Sequence, residues 1–308
     1  MDSRIDMMEA VLPISDREAV RRNLDRAELL LRSLRFFWSG NSPLRLHVVA
    51  PDEEVDRIRQ RLQPFATDRL QLDFLPESTV SPNLALGGSG KGIAKQMLVK
   101  MAAFQFVKTK FYLTLDTDVV ACRPFSTRDL VLGGKALTEW AQPTTLAWWQ
   151  ESATVLGYDA APSTFAARAR IHITPQVMSS EISRLLAEYL SLRFNDDWLM
   201  GLLDRYTGNH PHIWTEYTLY DLFADMQGLL PRFYWMPDEL PGTWRLHGRQ
   251  NIWMPDDYRR WRPEQALEDA TIGYFLVFQS ILAHDLDFDH VSARWSAAVK
   301  ARYPSYEH

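Results

Sequence analysis

The sequence is poor in cysteine, in long apolar runs and in charge of one sign. Its single cysteine, Cys122, excludes an internal disulfide and any zinc or iron–sulfur centre built from several thiolates. That usage fits a reducing, cytoplasmic compartment. The most apolar run, residues 273–283, is broken by Gln279 and Ser280 and falls short of the roughly 20 residues that cross a bilayer. Met1 to Met8 alternate charge and apolarity, without the basic start and apolar stretch of a secretory signal. No transmembrane anchor and no export are therefore expected. A net charge of −5 over 308 residues gives no overall pull toward nucleic acid or anionic lipid. Nucleic acid is not an expected partner.

What is present is ample apolar material, 46% of the chain, enough for a sizeable core. It is arranged in alternation. Glu9 to Ile14 reads as a strand, followed by Ser15-Asp16-Arg17-Glu18, a capping-box pattern that opens a helix with Val20, Leu24, Ala27, Leu31 and Leu34 on one face. Leu44 to Val49 and Gln71 to Leu75 read as two more strands, with an amphipathic helix over 52–62 between them. A helix over 93–107 then leads to Phe111-Tyr112-Leu113-Thr114-Leu115, a run suited to a strand buried on both faces. Strands alternating with helices predict a mainly parallel sheet covered on both sides, a Rossmann-type αβα sandwich. Farther along, 171–178 reads as a strand and 179–192, 197–206 and 219–226 as helices. The proline- and tryptophan-rich stretch 231–263 has no clear period. Its tryptophans suit either sugar rings stacking at a surface or closure of a core beneath long loops.

The strongest chemical signal is Asp116-Thr117-Asp118 at the carboxyl end of the buried run. Ligands of open α/β sheets bind beyond the carboxyl ends of strands. In extended backbone, residues i and i+2 point the same way, so Asp116 and Asp118 can converge on one ion. Hard oxygen ligands suit Mg²⁺ or Mn²⁺, and such an ion makes a nucleoside diphosphate a better leaving group. Chance Asp-x-Asp pairs also serve as turns and helix caps.

A Lys-Gln-x-x-x-Lys helix (Lys95, Gln96, Lys100), then a hydrophobic strand and Asp-x-Asp, resembles bacterial glycosyltransferase-like proteins of the GT-A fold, a group catalogued mainly as domains of unknown function. Ile173-Thr174-Pro175-Gln176-Val177-Met178, Trp214-Thr215-Glu216-Tyr217-Thr218-Leu219-Tyr220 and Phe275-Leu276-Val277-Phe278-Gln279-Ser280 match the same group. The resemblance implies a metal-dependent glycosyltransferase with a nucleotide-sugar-binding part over 1–125 and an acceptor-binding part over 126–308 of a single GT-A domain. It implies a UDP- or GDP-linked sugar donor and a glycan or glycoconjugate acceptor. Polar residues on the helix before the strand lie near the donor in such relatives, so Lys95, Gln96 and Lys100 are expected there, with Asp116. A late histidine often completes the metal's ligands, and His247 in Arg245-Leu246-His247-Gly248-Arg249 is the best placed, with His284 as competitor.

Glu216, between aromatic residues, is the candidate catalytic or acceptor-orienting carboxylate, its other reading being a charge at a helix start. The glycine-rich stretch 87–92 fails the phosphate-loop pattern at Ala85 and Gly92 and reads as a loop over the donor. His210 and His212 read as a surface turn. A rival function remains: four hydrophobic residues before Asp-x-Asp also fit haloacid-dehalogenase-like phosphatases, with Asp116 as nucleophile and Asp196-Asp197 or Asp256-Asp257 as a second acidic pair. A non-catalytic nucleotide-sugar-binding module is the third reading.

Overall fold

The alternating apolar runs do form a mainly parallel sheet. In a computed structural model, which describes residues 7–16, 22–86, 91–141, 145–158, 169–170, 173–209, 212–239, 245–268, 273–279 and 288–306, β1 (Met8–Pro13) is buried at every position. It is followed by α1 (Asn23–Phe37), β2 (Leu44–Ala50), α2 (Val55–Leu62), β3 (Leu70–Pro76), α3 (Gly92–Ala102) and β4 (Phe111–Thr114). The stripe Ala27, Leu31 and Leu34 on α1 is fully buried. Its start differs from expectation: the helix begins at Asn23, and Ser15 instead bonds the Glu54 carboxylate at 3.4 Å. Residues 17–21, including Glu18 and Val20, lie outside the described residues.

Then come β5 (Val119–Ala121), α4 (Leu146–Leu156), β6 (Gln176–Ser179), α5 (Ser180–Arg193), α6 (Trp198–Arg205), α7 (Glu216–Met226), β7 (Phe275–Val277) and α8 (Phe288–Arg302). The main sheet runs β6-β4-β1-β2-β3, with β6 antiparallel to β4 and the other pairs parallel. After β3 the chain crosses back to the other side of β1 to lay down β4. The strand order therefore reverses between β1 and β4, which puts the ligand crevice of such a sheet at their carboxyl ends. Helices α1 and α2 pack together, α2 against β2 and β3 and α1 against β5, while α3, α5 and α7 form a second group touching β1 and β6. This is the mixed α/β architecture the patterning predicts.

One buried charge braces the approach to β4. Glu9 of β1 is 1% exposed. Its carboxylate accepts the backbone N–H groups of Lys108 (2.5 Å) and Thr109 (2.9 Å) and contacts His47 Nε2 at 3.2 Å. These bonds outweigh the burial that would raise its pKa, and the net shift is downward. A buried charge is tolerated when it is hydrogen-bonded in this way.

A second, two-stranded sheet pairs β5 with β7 antiparallel. His247 and Ile252 bridge to Phe275 and Phe278 of the β7 segment. Gly273 makes that crossing fit, since a Cβ there would come within 2.4 Å of the His247 backbone. The stretch 231–263 is more regular than its sequence suggests, with a short helix over Pro255–Arg260. Trp261 is 1% exposed, so that tryptophan closes the core, as do Trp38, Trp149, Trp214 and Trp295.

Candidate functional site

β4 stops at Thr114, and the next residues turn: Val119 N–H donates to the Asp116 carbonyl at 3.3 Å. Asp116 and Asp118 therefore flank a turn rather than lie along an extended strand, and the period-two argument for their convergence does not apply. Each has its own surroundings. Asp118 carries its charge toward Arg26 of α1, where it offsets part of the burial that lowers the guanidinium's pKa. Its carbonyl accepts Phe278 N–H at 2.7 Å, tying the turn to the β7 segment. Between them, Thr117 donates to Asn23 Oδ1 (2.8 Å), and Asn23 Nδ2 donates to the Ser15 carbonyl (2.8 Å). This link spans the carboxyl ends of β1 and β4.

Asp116 belongs to a cluster drawn from four segments. Lys100, in the last turn of α3, places Nζ 2.7 Å from Asp116 Oδ1 and 2.9 Å from Glu216 Oε1. It also donates to Thr174 Oγ1 at 3.3 Å. An ammonium has three donors, so Lys100 is saturated by protein groups, and its side chain is 3% exposed. Burial alone would lower its pKa, but Asp116 and Glu216 outweigh burial and hold it well above its ordinary value. It is a fixed cation. Thr174 donates in turn to Asp116 Oδ2 at 2.5 Å. Tyr217 lies behind them, its hydroxyl 2.9 Å from Thr114 Oγ1 and 3.2 Å from Thr174 Oγ1.

Glu216 opens α7, but the cap is Thr215, whose hydroxyl accepts Thr218 N–H at 3.2 Å. The Glu216 side chain reaches Lys100 instead and is 6% exposed. Burial raises its pKa, and the nearby Lys100 cancels only part of that rise. Asp116 is different, because one third of its side chain (33%) remains open to solvent. With both acids ionised, the cluster carries one positive charge against two negative ones, and the surplus negative charge opens outward through Asp116.

Three residues expected from sequence, Lys100, Asp116 and Glu216, are thus brought together. Lys95 is not among them. It is buried with its ammonium 3.2 Å from Glu77, and five residues along a helix turn it about 140° away from Lys100. Gln96, one turn before Lys100, is part-buried on roughly the same face as Lys100. His247 is buried with Nδ1 3.4 Å from Glu139 Oε2, and β7 separates its segment from β5. Among the described residues no three His, Cys, Asp or Glu groups come together that could hold a metal ion, so His247 does not join the aspartates in a ligand set. Arg245 and Arg249 are exposed. His284, His210 and residues 87–90 of the glycine-rich stretch lie outside the described residues.

The donor set still fits a hard divalent cation. A carboxylate offers about four lone-pair sites, of which Asp116 spends two on Lys100 and Thr174. Mg²⁺ typically takes one or two carboxylates and fills its shell with substrate phosphates and water. Thr174 and Tyr217 were singled out by sequence only as members of matching segments. Their signal was a hydroxyl inside an apolar stretch, which becomes meaningful once the partners are known.

Fold and site together define an α/β protein with a partly open cluster of Lys100, Asp116 and Glu216 at the carboxyl edge of a mostly parallel sheet. The chain belongs to DUF6492, a family of unknown function whose model matches residues 5–296. Among solved structures it is similar to mouse xyloside xylosyltransferase 1 in its apo form, with a TM-score of 0.47 and 14% sequence identity over 77% of this chain and 86% of that one. A search of curated proteins returns no match.

Proposed function

We propose that this chain is a metal-dependent glycosyltransferase of the GT-A type, moving a sugar from a UDP- or GDP-linked donor to a glycan or glycoconjugate acceptor. The observation that carries this reading is the partly open Lys100–Asp116–Glu216 cluster, two carboxyl groups on one ammonium, at the switch point of the sheet. Charge at a strand's carboxyl end, left partly open while its partners are buried, is placed for a ligand rather than for the core.

Asp116, the partly open acid of the cluster, would hold Mn²⁺ or Mg²⁺ together with the donor's diphosphate. When bound, the cation neutralises the charge that develops on the departing nucleoside diphosphate. Gln96 faces the donor. Lys100 has no donor group left for phosphate, so it acts from beneath, fixing Asp116. Glu216 acts through Lys100 rather than as a base toward the acceptor. The acceptor hydroxyl attacks the anomeric carbon as the bond to the nucleoside diphosphate breaks, its proton passing to the departing diphosphate, the protein's share being orientation and exclusion of water.

A phosphatase with Asp116 as nucleophile draws less support. One acid of each proposed second pair serves as a cap: Asp197 accepts Met200 N–H (3.0 Å), and Asp257 accepts Trp253 and Met254 N–H (3.0 and 2.9 Å).

Thermal shift against nucleoside diphosphates and nucleotide sugars, with and without Mn²⁺, tests the proposal, because a ligand at 100 times its Kd stabilises by about 2.7 kcal/mol. A Mn²⁺-dependent shift with one base, abolished in Asp116→Asn, is expected, together with slow hydrolysis of the matching sugar nucleotide. Release of phosphate from simple phosphomonoesters with no nucleotide shift would favour the phosphatase. A shift without transfer or hydrolysis would favour a binding module.

A further inference from the structure

The hydroxyls around Asp116 allow their protons to be assigned one by one. Thr114 Oγ1 lies 3.1 Å from the Gln176 carbonyl, which can only accept, so the Thr114 proton goes there. Thr114 oxygen then accepts from Tyr217, 2.9 Å away, and that uses the only proton Tyr217 has. Lys100 donates to Thr174. The Thr174 proton therefore has one partner left, Asp116 Oδ2 at 2.5 Å. The 3.2 Å approach of Thr174 and Tyr217 oxygens has no proton between them and is a packing contact. Thr174 is itself 7% exposed and held by its neighbours, whereas the carboxylate it bonds is the open member of the cluster.

We propose that Thr174 is a positioning residue for Asp116: its hydroxyl, polarised by Lys100, fixes the carboxylate so that its remaining lone pairs face the crevice. The assignment deepens the reading of Asp116 as the donor-facing acid and rests on it for its purpose, but not for its geometry. It gives the Ile173–Met178 segment a role that its apolar pattern conceals. It also ranks two hydroxyls that look equivalent by distance. Removing the Tyr217 hydroxyl leaves the Thr174–Asp116 bond intact, while removing the Thr174 hydroxyl frees Oδ2.

The test is a comparison of Thr174→Val, Thr174→Ser and Tyr217→Phe with the unaltered protein, using metal-free crystal structures and titration with Mn²⁺ alone followed by electron paramagnetic resonance. Asp116 is expected in one rotamer in the unaltered protein, in Thr174→Ser and in Tyr217→Phe, and in a shifted or split rotamer in Thr174→Val. Mn²⁺ affinity should fall about 10–100-fold in Thr174→Val, the usual cost of losing a group that orients a ligand, and stay within about threefold in the other two. Thr174→Ala replaces the valine variant if that one does not fold. An unmoved Asp116 in the valine or alanine variant overturns the proposal, as does a Tyr217→Phe effect equal to that of Thr174→Val. If the unaltered protein binds no Mn²⁺, the metal part of the functional reading fails, and the rotamer comparison alone decides the role of Thr174.

Discussion

Helix α7 carries two buried acids five residues apart, and they serve opposite ends. Asp221 meets Arg170 in a closed pair, each side chain 2% exposed. The Arg170 guanidinium also donates to Thr138 Oγ1 (2.8 Å) and Gln176 Oε1 (3.0 Å) and lies 3.9 Å above the Tyr234 ring. One positive charge meets one negative charge, and the pair is closed on every side. Glu216, at the helix start, joins Lys100 and Asp116, where two carboxyl groups share one ammonium and a third of Asp116 is open. Burial of charge is common to both clusters. What separates a brace from a site is the second carboxyl group and the opening.

The largest effect that sharpens this contrast is expected from Lys100→Met. It leaves Glu216 buried without its cation and Asp116 unanchored, and breaking a buried pair by removing one partner costs about 3–5 kcal/mol. Nucleotide-dependent stabilisation should vanish with it. The loss depends on pH with a defined sign. Burial already raises the Glu216 pKa and Lys100 is what lowers it, so without Lys100 the folded value rises further above the unfolded one of about 4.3. A raised carboxylate destabilises the fold where it would be ionised in the unfolded chain, so the deficit should narrow as pH falls toward that value. Urea denaturation at pH 7 and pH 5 measures it. A deficit that does not change with pH would mean that Glu216 is not the group left stranded.

Arg170→Met should cost a comparable amount of stability and nothing in function. Burial lifts Asp221 to about 6 even with Arg170 beside it, so the stranded acid again destabilises the fold at neutral pH. The folded fraction of this variant should bind nucleotide and Mn²⁺ as tightly as the unaltered chain. A loss of affinity in Arg170→Met, measured by calorimetry, would break the division between brace and site.

The same contrast marks what could be read from the sequence. The parallel strands were legible because β1, β2 and β4 are short, mostly apolar segments, interrupted by Glu9, Arg45 and His47, and the stripe on α1 because Ala27, Leu31 and Leu34 keep a helical period. Asp116 stood out because charge at the carboxyl end of such a strand is more often placed for a ligand than for the fold. Its partners were less legible. Lys100 and Glu216 are separated by 116 residues in sequence, and no local period records that they meet. Lys95 and Lys100 look alike on one helix, yet Lys95 is taken by Glu77, at the start of a short helix after β3. The turn at Asp116 was hidden as well, since residues 116–118 hold no glycine or proline to mark it and the period-two argument takes them as extended. The helix α8, with Val291, Trp295 and Val299 buried, is separated from the regular N-terminal alternation, and its faint periodicity passed unread. His247 was chosen by loop context, which does not reveal that β7 lies between its segment and β5.

The smallest effect tests whether the two ends of α7 are independent. Thr215 caps the helix, its hydroxyl accepting Thr218 N–H at 3.2 Å, and replacing such a cap by alanine costs about 1 kcal/mol. Fraying of a first turn propagates little beyond that turn, because the next intrahelical bonds are held by their own packing. Glu216 lies inside the frayed turn, and Asp221 lies beyond it. Thr215→Ala should therefore weaken nucleotide-dependent stabilisation more than a uniform loss of stability would, while hydrogen exchange around Asp221 and Arg170 stays as protected as before. If exchange rises equally at both ends, α7 responds as one rigid unit, and the open cluster cannot be loosened without its brace.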